Sequence, residues 1–419
     1  MTTNANETAP ADPFSQILPF NPYDPVFLDD PYPTFQRLRD ESGPVIGAIP
    51  GMWLIIGHKE VSSLLRDNRF GHGDAALVAS QITEDAEGNI VKPFIYMDPP
   101  DHTRVRSLVG KAFTARTVEA MRPRARELVR ELIETALAKN DGPVDLMAEL
   151  AFPLPSVLIG ELLGVPSQDL ERFRSWSKAL GRGLDPDFLL TPEEIQTRDD
   201  ARSEFDAYFA DLAERRRAEP AGDLVSALVA VEDGGDRLSR SELVAACRLV
   251  LSAGNVSTAH LIGNGTLALL RHPDQLAWLR ANPGKVKQAV EEMLRYDPPV
   301  QLTGTRVALE DGEAGDHPIK AGEAVVLFVG AANRDPATFP DPDRFDLTRE
   351  SGGRNLGFGM GIHFCLGASL ARLTTQETID ELIRLDLRLA DDNPSHAANL
   401  ILRGLNELPV HMSRAETPA

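Results

Sequence analysis

The sequence of 419 residues predicts a mainly α-helical protein with a minor β-sheet, folded as one large domain. Apolar residues recur at helical spacing over most of the chain, whereas only three segments have the composition of strands. No internal repeat or low-complexity linker divides the chain, and 42% hydrophobic residues are enough for one sizeable core. These observations favour a single helical domain over a multidomain or disordered chain.

The individual elements are predicted from periodicity and composition. The segments with helical periodicity are residues 116–138, 201–217, 285–296 and 366–387. Three segments are strand candidates, the third weaker than the others: residues 44–57, 324–329 and 399–410. The ends of the chain, residues 1–15 and 413–419, are expected to be flexible tails of a domain that spans residues 16–412.

One helix is predicted to be unusually long. Ser239 and Glu242 have the spacing of a capping box, and no proline follows before Pro273, so about 32 residues can form one helix about 48 Å long. Its centre contains the run Ala253-Gly254-Asn255-Val256-Ser257-Thr258, in which glycine and short polar side chains disfavour a helix. Such a run indicates either a functional site or close packing of helices through small residues.

Charge and cysteine content limit the partners and the compartment. Asp and Glu number 63 against 43 Lys and Arg, so the net charge is −20, which disfavours binding to nucleic acid or anionic lipid. The most apolar stretch, residues 243–251, is shorter than the roughly 18 residues of a membrane span, and residues 1–11 lack the pattern of a signal peptide. With only Cys247 and Cys365, we expect no disulfides and a cytoplasmic location. We also expect a monomer.

The strongest chemical signal is a glycine-rich loop that delivers Cys365 to the start of a helix, Phe358-Gly359-Met360-Gly361-Ile362-His363-Phe364-Cys365-Leu366-Gly367. Backbone N–H groups and the helix dipole at that position favour a thiolate over a thiol. Zinc is disfavoured because it needs three or four ligands and only one other cysteine exists. A cysteine nucleophile with His363 as its base and a buried structural cysteine both stay open, although the latter leaves the glycines unexplained.

This loop resembles the haem-binding loop of the cytochromes P-450, specifically of their soluble bacterial branch. Phe358, Gly361, His363, Cys365 and Gly367 fill the family's pattern without a gap. The resemblance implies the P-450 fold, with the long helix over a haem, and a haem-thiolate monooxygenase activity. It also implies Cys365 as the axial iron ligand and Phe358 as the ring packed against it. A Cys-x-x-Cys-His motif is absent, so haem b is expected to be bound non-covalently.

Other motifs extend the resemblance beyond the loop. Glu292 and Arg295 match the family's Glu-x-x-Arg pair, which meets a further arginine that Arg344 supplies here; the resemblance implies a buried structural network. Four cations match positions that bind the haem propionates in the family: His102, Arg106, Arg306 and His363.

The long helix departs from the family pattern at its centre. The family has an acid followed by an alcohol, which relay protons to oxygen, but here Val256 occupies the acid's position and Ser257 the threonine's, with Thr258 beside it. Ser257 and Thr258 are therefore the candidate catalytic residues. Three interpretations stay open, in this order: water and Ser257 suffice, a substrate hydroxyl assists, or the enzyme uses peroxide or catalyses a step that depends less on protonation.

The resemblance also implies a substrate pocket with apolar lining positions, which are Phe94, Ile95, Ala253, Gly254, Val300, Leu302, Ile401 and Leu402. Asn255, Ser257 and Gln301 add sparse polar groups, and residues 71–95 and 165–200 are candidate lids. We expect the substrate to be a bulky apolar natural-product intermediate such as a macrolide, polyketide or terpenoid.

The leading functional prediction is insertion of one oxygen atom from O2 into such a substrate, by hydroxylation or epoxidation. The chain has no flavin, iron–sulfur or dinucleotide motif, so electrons are expected from a ferredoxin and its NAD(P)H-dependent reductase. A basic docking patch, with scattered surface charge as its alternative, would comprise Arg104, Lys111, Arg116 and Arg372. Other functions left open are a haem-thiolate peroxygenase, a P-450 with substrate-assisted proton delivery, a non-catalytic haem-binding protein, and a hydrolase using Cys365 with His363.

Overall fold

The structure, a computed structural model, describes residues 18–414 except 74–81, 85–87, 89, 140–141, 184–186, 188–189, 233–234 and 351–353. The described residues form one mainly helical domain with small sheets, as the sequence predicts. The α-helices of the described residues are α1 (Pro25–Asp29), α2 (Tyr32–Ser42), α3 (His58–Leu64), α4 (Asp101–Ala112), α5 (Ala115–Glu119), α6 (Arg122–Leu137), α7 (Pro153–Leu163), α8 (Leu170–Arg182), α9 (Pro192–Ala218), α10 (Leu224–Ala230), α11 (Arg240–Arg271), α12 (Pro273–Ala281), α13 (Val286–Tyr296), α14 (Val329–Ala332) and α15 (Ala368–Leu382).

The strands form two sheets and two separate hairpins. They are β1 (Val45–Ile49), β2 (Met52–Ile55), β3 (Phe70–Gly71), β4 (Thr83–Glu84), β5 (Ile90–Val91), β6 (Val144–Asp145), β7 (Arg306–Ala308), β8 (Gly312–Ala314), β9 (His317–Ile319), β10 (Ala324–Leu327), β11 (Leu385–Leu389) and β12 (Pro409–Arg414). The larger sheet has the order β1-β2-β10-β7-β3, with β10 parallel to β2 and the other pairs antiparallel. The smaller sheet has the order β11-β12-β6, and the hairpins are β4-β5 and β8-β9.

The long helix α11 is the centre around which the other helices pack. Ser239 caps it and forms both hydrogen bonds of the capping box with Glu242, as the sequence predicts. Of its 32 residues 21 are buried, because α7, α8, α9, α13 and α15 surround it. Two glycines permit this close packing: an added Cβ would lie 2.4 Å from the Met147 sulfur at Gly263 and 2.7 Å from the Met293 sulfur at Gly265.

The helix predicted over 285–296 is confirmed as α13, whereas the other three predicted helices have different bounds. The prediction for 201–217 lies within α9, which begins nine residues earlier at Pro192. Residues 116–138 form two helices, α5 and α6, because Pro123 lacks an N–H and fits only in the first turn of a helix. The prediction for 366–387 is wrong at its end, since α15 stops at Leu382 and β11 follows. Leu385 and Leu387 are buried at the alternating spacing of a strand.

The strand predictions are partly confirmed. Residues 44–57 form the hairpin β1-β2, which turns at Gly51 with a φ angle of +81°. Residues 324–329 contain β10, which ends at Leu327. The prediction for 399–410 is wrong over most of its length, because regular strand begins only at Pro409. Strand β12 reaches Arg414, two residues into the stretch predicted as a C-terminal tail, whereas the predicted tail 1–15 lies outside the described residues.

Candidate active site

Two glycines shape the loop that carries Cys365 to α15. Gly359 and Gly361 have φ angles of +68° and +70°, a region that residues with a side chain rarely adopt. A Cβ on Gly361 would lie 2.3 Å from the carbonyl oxygen of Leu65, which leaves no room for a side chain. The N–H of Cys365 donates to the carbonyl of Phe358 over 2.9 Å and closes the loop. Both glycines are therefore required by the backbone that positions Cys365.

The sulfur of Cys365 lies next to the N-terminus of α15, among donors and cations. The N–H groups of Gly367 and Ala368 donate to it, and Arg106 and Arg372 add positive charge. Burial raises the pKa of the Cys365 thiol, and these N–H groups and guanidinium groups act against the rise. The surroundings are thus arranged to stabilise sulfur as an anion when a partner of opposite charge is present.

The second cysteine has different surroundings. Cys247 is fully buried in the apolar core on α11, where burial followed by the charges of Asp223 and Asp206 raises its pKa. A thiol in that position behaves as a small core side chain. Of the two cysteines, only Cys365 has the environment of a ligand.

The ring of Phe358 is held against the helix that follows the loop. The Arg372 guanidinium carbon lies 4.4 Å from the centre of that ring, and Nε of Arg372 donates to Oε1 of Glu291 over 2.6 Å. This cation–π contact and ion pair fix the ring of Phe358 at the beginning of the loop that carries Cys365.

Five cationic or titratable side chains gather next to the Cys365 loop. The ring centres of His102 and His363 are 4.2 Å apart, and those of His72 and His363 are 5.3 Å apart. Arg106 donates to the carbonyl of Phe364 in the loop, and Arg306, almost completely buried, donates to the carbonyl of Phe70 over 3.2 Å. The structure therefore brings together all four of the predicted propionate-binding cations and adds a fifth group, which is His72.

The sequence analysis missed His72 because no motif marks it. The residue directly follows β3, which pairs with β7, and the first residue of β7 is Arg306. Only this strand pairing places His72 near Arg306. The histidine spacing along the chain carries no such information.

The histidines of this cluster have ring nitrogens without partners. Among the described residues, both ring nitrogens of His102 and the Nδ1 atoms of His72 and His363 are buried and have no hydrogen bond. Burial, followed by the charge of Arg306, lowers the pKa of His72 to about 4 and that of His363 to about 2. The pKa of His102 is also lowered, by burial and by Arg106. Buried donors without acceptors are costly, so this cluster suits an anionic ligand.

The carboxylate of Asp98 lies next to the cluster, and its oxygens already accept backbone hydrogen bonds. Oxygens of Asp98 accept the backbone N–H of His72 over 2.9 Å and that of Gly73 over 2.8 Å. The guanidinium groups of Arg106 and Arg306 have no ion pair with a carboxylate of the described residues. Burial lowers the pKa of both arginines, as expected for cations that lack an anion. Asp98 compensates part of this positive charge, but no carboxylate of the described residues pairs directly with either guanidinium group, so the pair fits the two carboxylates of a haem.

The hydroxyl groups at the centre of α11 bind back to their own helix. Ser257 donates to the carbonyl of Ala253 and Thr258 to that of Gly254, each over 2.7 Å. Their oxygens can still accept a hydrogen bond, and each hydroxyl can rotate to another acceptor. The candidate catalytic residues are thus present on the helix with hydroxyls that are not locked into a side-chain network.

The other residues of this run contact α8. The amide of Asn255 donates to the Ser177 hydroxyl, while its own carbonyl oxygen is buried without a partner. A Cβ on Gly181 would lie 2.6 Å from a methyl group of Val256, so Val256 packs against the end of α8. Close helix packing and a candidate reactive surface therefore coexist in this run.

The predicted pocket residues lie in four different places in the structure. Phe94 is buried beneath the Arg106 guanidinium, whose carbon lies 5.7 Å from the ring centre, and Ile95 is exposed. Ala253 is exposed and Gly254 half-buried on α11, while Val300 and Leu402 are paired in an isolated β-bridge. Leu302 and Ile401 belong instead to a cluster with Phe35 and Phe328, and Leu302 lines a cavity of about 30 Å³ beside the N-terminal helices.

Parts of the two predicted lids lie outside the described residues. Most of residues 74–89 and five residues between 184 and 189 lie outside the described residues. The remainder of 165–200 is largely regular, because it contains α8 and the beginning of α9.

The Glu-x-x-Arg network is present, but its third member was assigned wrongly. Arg295 forms two 2.8 Å hydrogen bonds with Glu292, and both side chains are buried. The Arg344 side chain is exposed, and only its backbone carbonyl contacts Arg295, over 3.1 Å. The arginine that reaches Glu292 is Arg349, over 3.3 Å. Because the backbone of the Pro342–Arg344 segment faces Arg295, its side chain at 344 turns outward.

The described part of the chain has neither a membrane-spanning helix nor a cluster of metal ligands. None of its helices is both long and apolar enough to cross a membrane. No group of three or more His, Cys, Asp or Glu residues there could hold a metal ion, the histidine cluster included.

Comparison with known proteins identifies the family. Residues 285–385 match the cytochrome P-450 family. The chain is 42% identical to the cytochrome P-450 monooxygenase PikC of Streptomyces venezuelae, with 93% of this chain and 92% of PikC covered. It is 40% identical to the vitamin D(3) 25-hydroxylase of Pseudonocardia autotrophica, with 92% and 95% covered. The chain belongs to the cytochrome P-450 family.

Other members of the family agree in sequence and in fold. The 6-deoxyerythronolide B hydroxylase of Saccharopolyspora erythraea is 39% identical, with 92% of this chain and 97% of that protein covered. The Bacillus subtilis cytochrome P-450 PksS of the bacillaene polyketide synthase superposes with a TM-score of 0.82 at 35% identity, covering 94% of this chain and all of PksS. This P-450 is therefore a haem-dependent monooxygenase that binds haem b through a cysteine thiolate.

Proposed function

We propose that this P-450 inserts one oxygen atom from O2 into a largely apolar organic substrate of natural-product metabolism, with electrons from a ferredoxin and its NAD(P)H-dependent reductase. Similar proteins support this substrate class, because they include a 6-deoxyerythronolide B hydroxylase and a P-450 of a polyketide synthase. The observation that carries the proposal is the Cys365 loop, which presents one sulfur beside buried histidine nitrogens without partners and beside two arginines without a direct ion pair.

In this proposal two sets of residues would hold haem b, one at the iron and one at the propionates. The Cys365 thiolate binds the iron, Gly367 and Ala368 donate to the sulfur, and Phe358 packs beside it. The groups that would bind the two propionates are the cations Arg106 and Arg306 and the ring N–H groups of His102 and His363, with His72 in addition. Haem, when bound, supplies dioxygen activation, which the thiolate favours by donating electron density.

Proton delivery falls to the chain's own residues on α11. Val256 cannot carry a proton, so Ser257 and Thr258 are the side chains on this run that can hold and pass one. Serine lacks the γ-methyl group that restricts the χ1 angle of threonine, so the Ser257 hydroxyl is less firmly oriented than the family's threonine. We rank water with Ser257 first, assistance by a substrate hydroxyl second, and peroxide use or a less proton-dependent step third.

The surface for ferredoxin lies, in this proposal, around Phe364, which is 42% exposed in the Cys365 loop. Arg66 and Arg116 are exposed basic residues on neighbouring segments: the backbone of Arg66 approaches the loop at Gly361, and α5, which carries Arg116, packs against α15. Arg104 does not belong to this surface, because it pairs with Asp236 and Glu242 at the beginning of α11.

Two further members of the sequence-based patch remain candidates for this surface. Lys111 is exposed in the last turn of α4, the helix whose Arg106 donates to the Phe364 carbonyl. Arg372 is one-third exposed and paired with Glu291, so its charge is partly compensated. A ferredoxin, generally acidic, would meet a basic patch around an apolar centre.

A spectrum of the reduced protein with carbon monoxide tests the proposal. We expect the red-shifted Soret band of thiolate ligation in the parent protein and in a Cys247→Ala control, and its loss in Cys365→Ala, because no other thiolate is placed to bind the iron. A band that survives Cys365→Ala would show that the ligand assignment is wrong. Absence of the band from the parent protein would overturn the haem-thiolate function itself.

A further inference from the structure

A cavity beside α11 is lined by three arginines and, among the described residues, by no carboxylate. It lies between α8, α9, α11 and the 3₁₀ turn Phe94–Tyr96, is open to solvent on one side and has a volume of about 30 Å³. Its polar lining residues are Arg198, Arg202, Arg248, Ser252 and Tyr96. Pro93, Leu180, Gly183 and Leu249 complete the wall with apolar and backbone surface.

Two of the arginines are fixed by carboxylates that lie outside the cavity. Arg198 is 4% exposed and pairs with Asp187 and Asp199, whose side chains are 42% and 47% exposed. Arg248 is 7% exposed and pairs with Asp206 on α9. Burial lowers the pKa of the Arg198 guanidinium, but its hydrogen bonds to Asp187 and Asp199 outweigh burial and raise that pKa overall, so Arg198 is a paired cation.

The third arginine has no hydrogen-bond acceptor among the described residues. The side chain of Arg202 is 15% exposed, and the closest carboxylate oxygen, that of Asp199, is 3.8 Å away. Burial, followed by the charges of Arg248 and Arg198, lowers the pKa of the Arg202 guanidinium. A mostly buried guanidinium without an acceptor is costly, and it faces a cavity that offers space for one.

The cavity wall formed by Arg248 and Ser252 lies on the same face of α11 as Val256. Arg248, Ser252 and Val256 follow each other at four-residue spacing and share one face of α11. Val256 packs against Gly181, which lies between the lining residues Leu180 and Gly183. At 1.5 Å per residue, Ser257 lies about 8 Å from Ser252 and about 14 Å from Arg248 along the helix.

We propose that this cavity binds the carboxylate of an amphipathic substrate, whose apolar part extends along α11 towards Val256 and Ser257. Arg202 supplies a charge-assisted bidentate hydrogen bond, and Arg248 and Arg198 add positive charge. The apolar Val256 suits the body of such a substrate, whereas an acid at that position would bring a like charge close to the carboxylate. The inference rests on the proposed monooxygenase function and names the substrate class of that site.

The test compares carboxylic acids with their methyl esters on the haem-loaded protein. Decanoic, dodecanoic and tetradecanoic acids and their esters are titrated, and dissociation constants are obtained from the haem Soret shift and by calorimetry. We expect at least one acid to bind about ten- to a hundredfold more tightly than its ester. Arg202→Gln should abolish this preference and leave the ester affinity within about twofold, whereas Arg202→Lys should keep part of it.

Two further variants guard against misfolding and against nonspecific charge effects. The double variant Arg248→Gln with Asp206→Asn removes an ion pair without leaving a buried charge, and it should also reduce the preference. Arg37→Gln, which removes an exposed ion pair with Glu41 on α2, should not change it. Equal affinity of acids and esters in the parent protein, or a preference that persists in Arg202→Gln, would overturn the inference. Failure of the monooxygenase function would appear separately, as loss of the carbon monoxide band.

Discussion

Removing the Glu292 carboxylate is expected to destabilise the protein more than any single surface change. The Arg295 side chain is fully buried and Glu292 is 1% exposed. In Glu292→Ala, the guanidinium would keep only backbone acceptors, the carbonyls of Asn333, Pro342 and Arg344, and no negative charge. An uncompensated buried charge costs about 3–5 kcal/mol, a large share of the roughly 5–15 kcal/mol that stabilises a domain.

The two arginines near this pair give a graded control. Arg349→Ala removes one charge-assisted hydrogen bond to Glu292 and should cost about 1.5–3 kcal/mol. Arg344→Ala removes an exposed side chain and should stay within about 0.5 kcal/mol of the parent protein. Urea denaturation midpoints at unchanged m-value, together with the yield of haem-loaded protein, measure all three variants. A cost below about 1 kcal/mol for Glu292→Ala, or a larger cost for Arg344→Ala than for Arg349→Ala, would refute this account of the network.

Three other predictions follow from the site and the core. If Ser257 and water deliver protons, Val256→Asp should raise the fraction of consumed NAD(P)H that appears as product and should lower peroxide release. Under the same condition Ser257→Ala should raise peroxide release. Unchanged coupling in both variants would exclude this run of α11 from proton delivery. Arg306→Gln should speed haem loss to apomyoglobin, because it removes a buried cation that is proposed to bind a propionate; an unchanged rate would contradict that proposed role. Burial lowers the pKa of His260 to about 4. Between about pH 6.5 and pH 4 the unfolded chain therefore binds a proton at this residue that the folded protein does not bind. Through this group, the free energy of unfolding should fall by about 2 kcal/mol from pH 7 to pH 5. His260→Gln should reduce that pH dependence, and His317→Gln, on the surface, should not.

Features that depend on local sequence were predicted well. The capping box of Ser239 and Glu242 and the absence of proline before Pro273 gave both ends of α11. The Cys365 loop was recognisable because its glycines are required by positive φ angles and by the contact with Leu65. Such signals are confined to a few neighbouring residues, so one sequence contains them completely.

Features that depend on tertiary contacts were not predictable in the same way. His72 joins the cation cluster only through the pairing of β3 with β7, and the choice between Arg344 and Arg349 depends on which way a loop turns its side chains. The arginine cavity needs the crossing of α9 over α11, which sets Arg202 beside Arg248. Periodicity fixes the faces of each helix, but it does not fix which faces meet.

The most direct test of the central claim, monooxygenation, is to follow the oxygen atom. A compound that shifts the haem Soret band is incubated under ¹⁸O2 with the parent protein, a surrogate ferredoxin, its reductase and NADPH, and the product is analysed by mass spectrometry. We predict that the product carries one labelled oxygen atom and that Cys365→Ala forms none. A product whose oxygen comes from water, or label incorporation that does not require Cys365, would contradict the assignment.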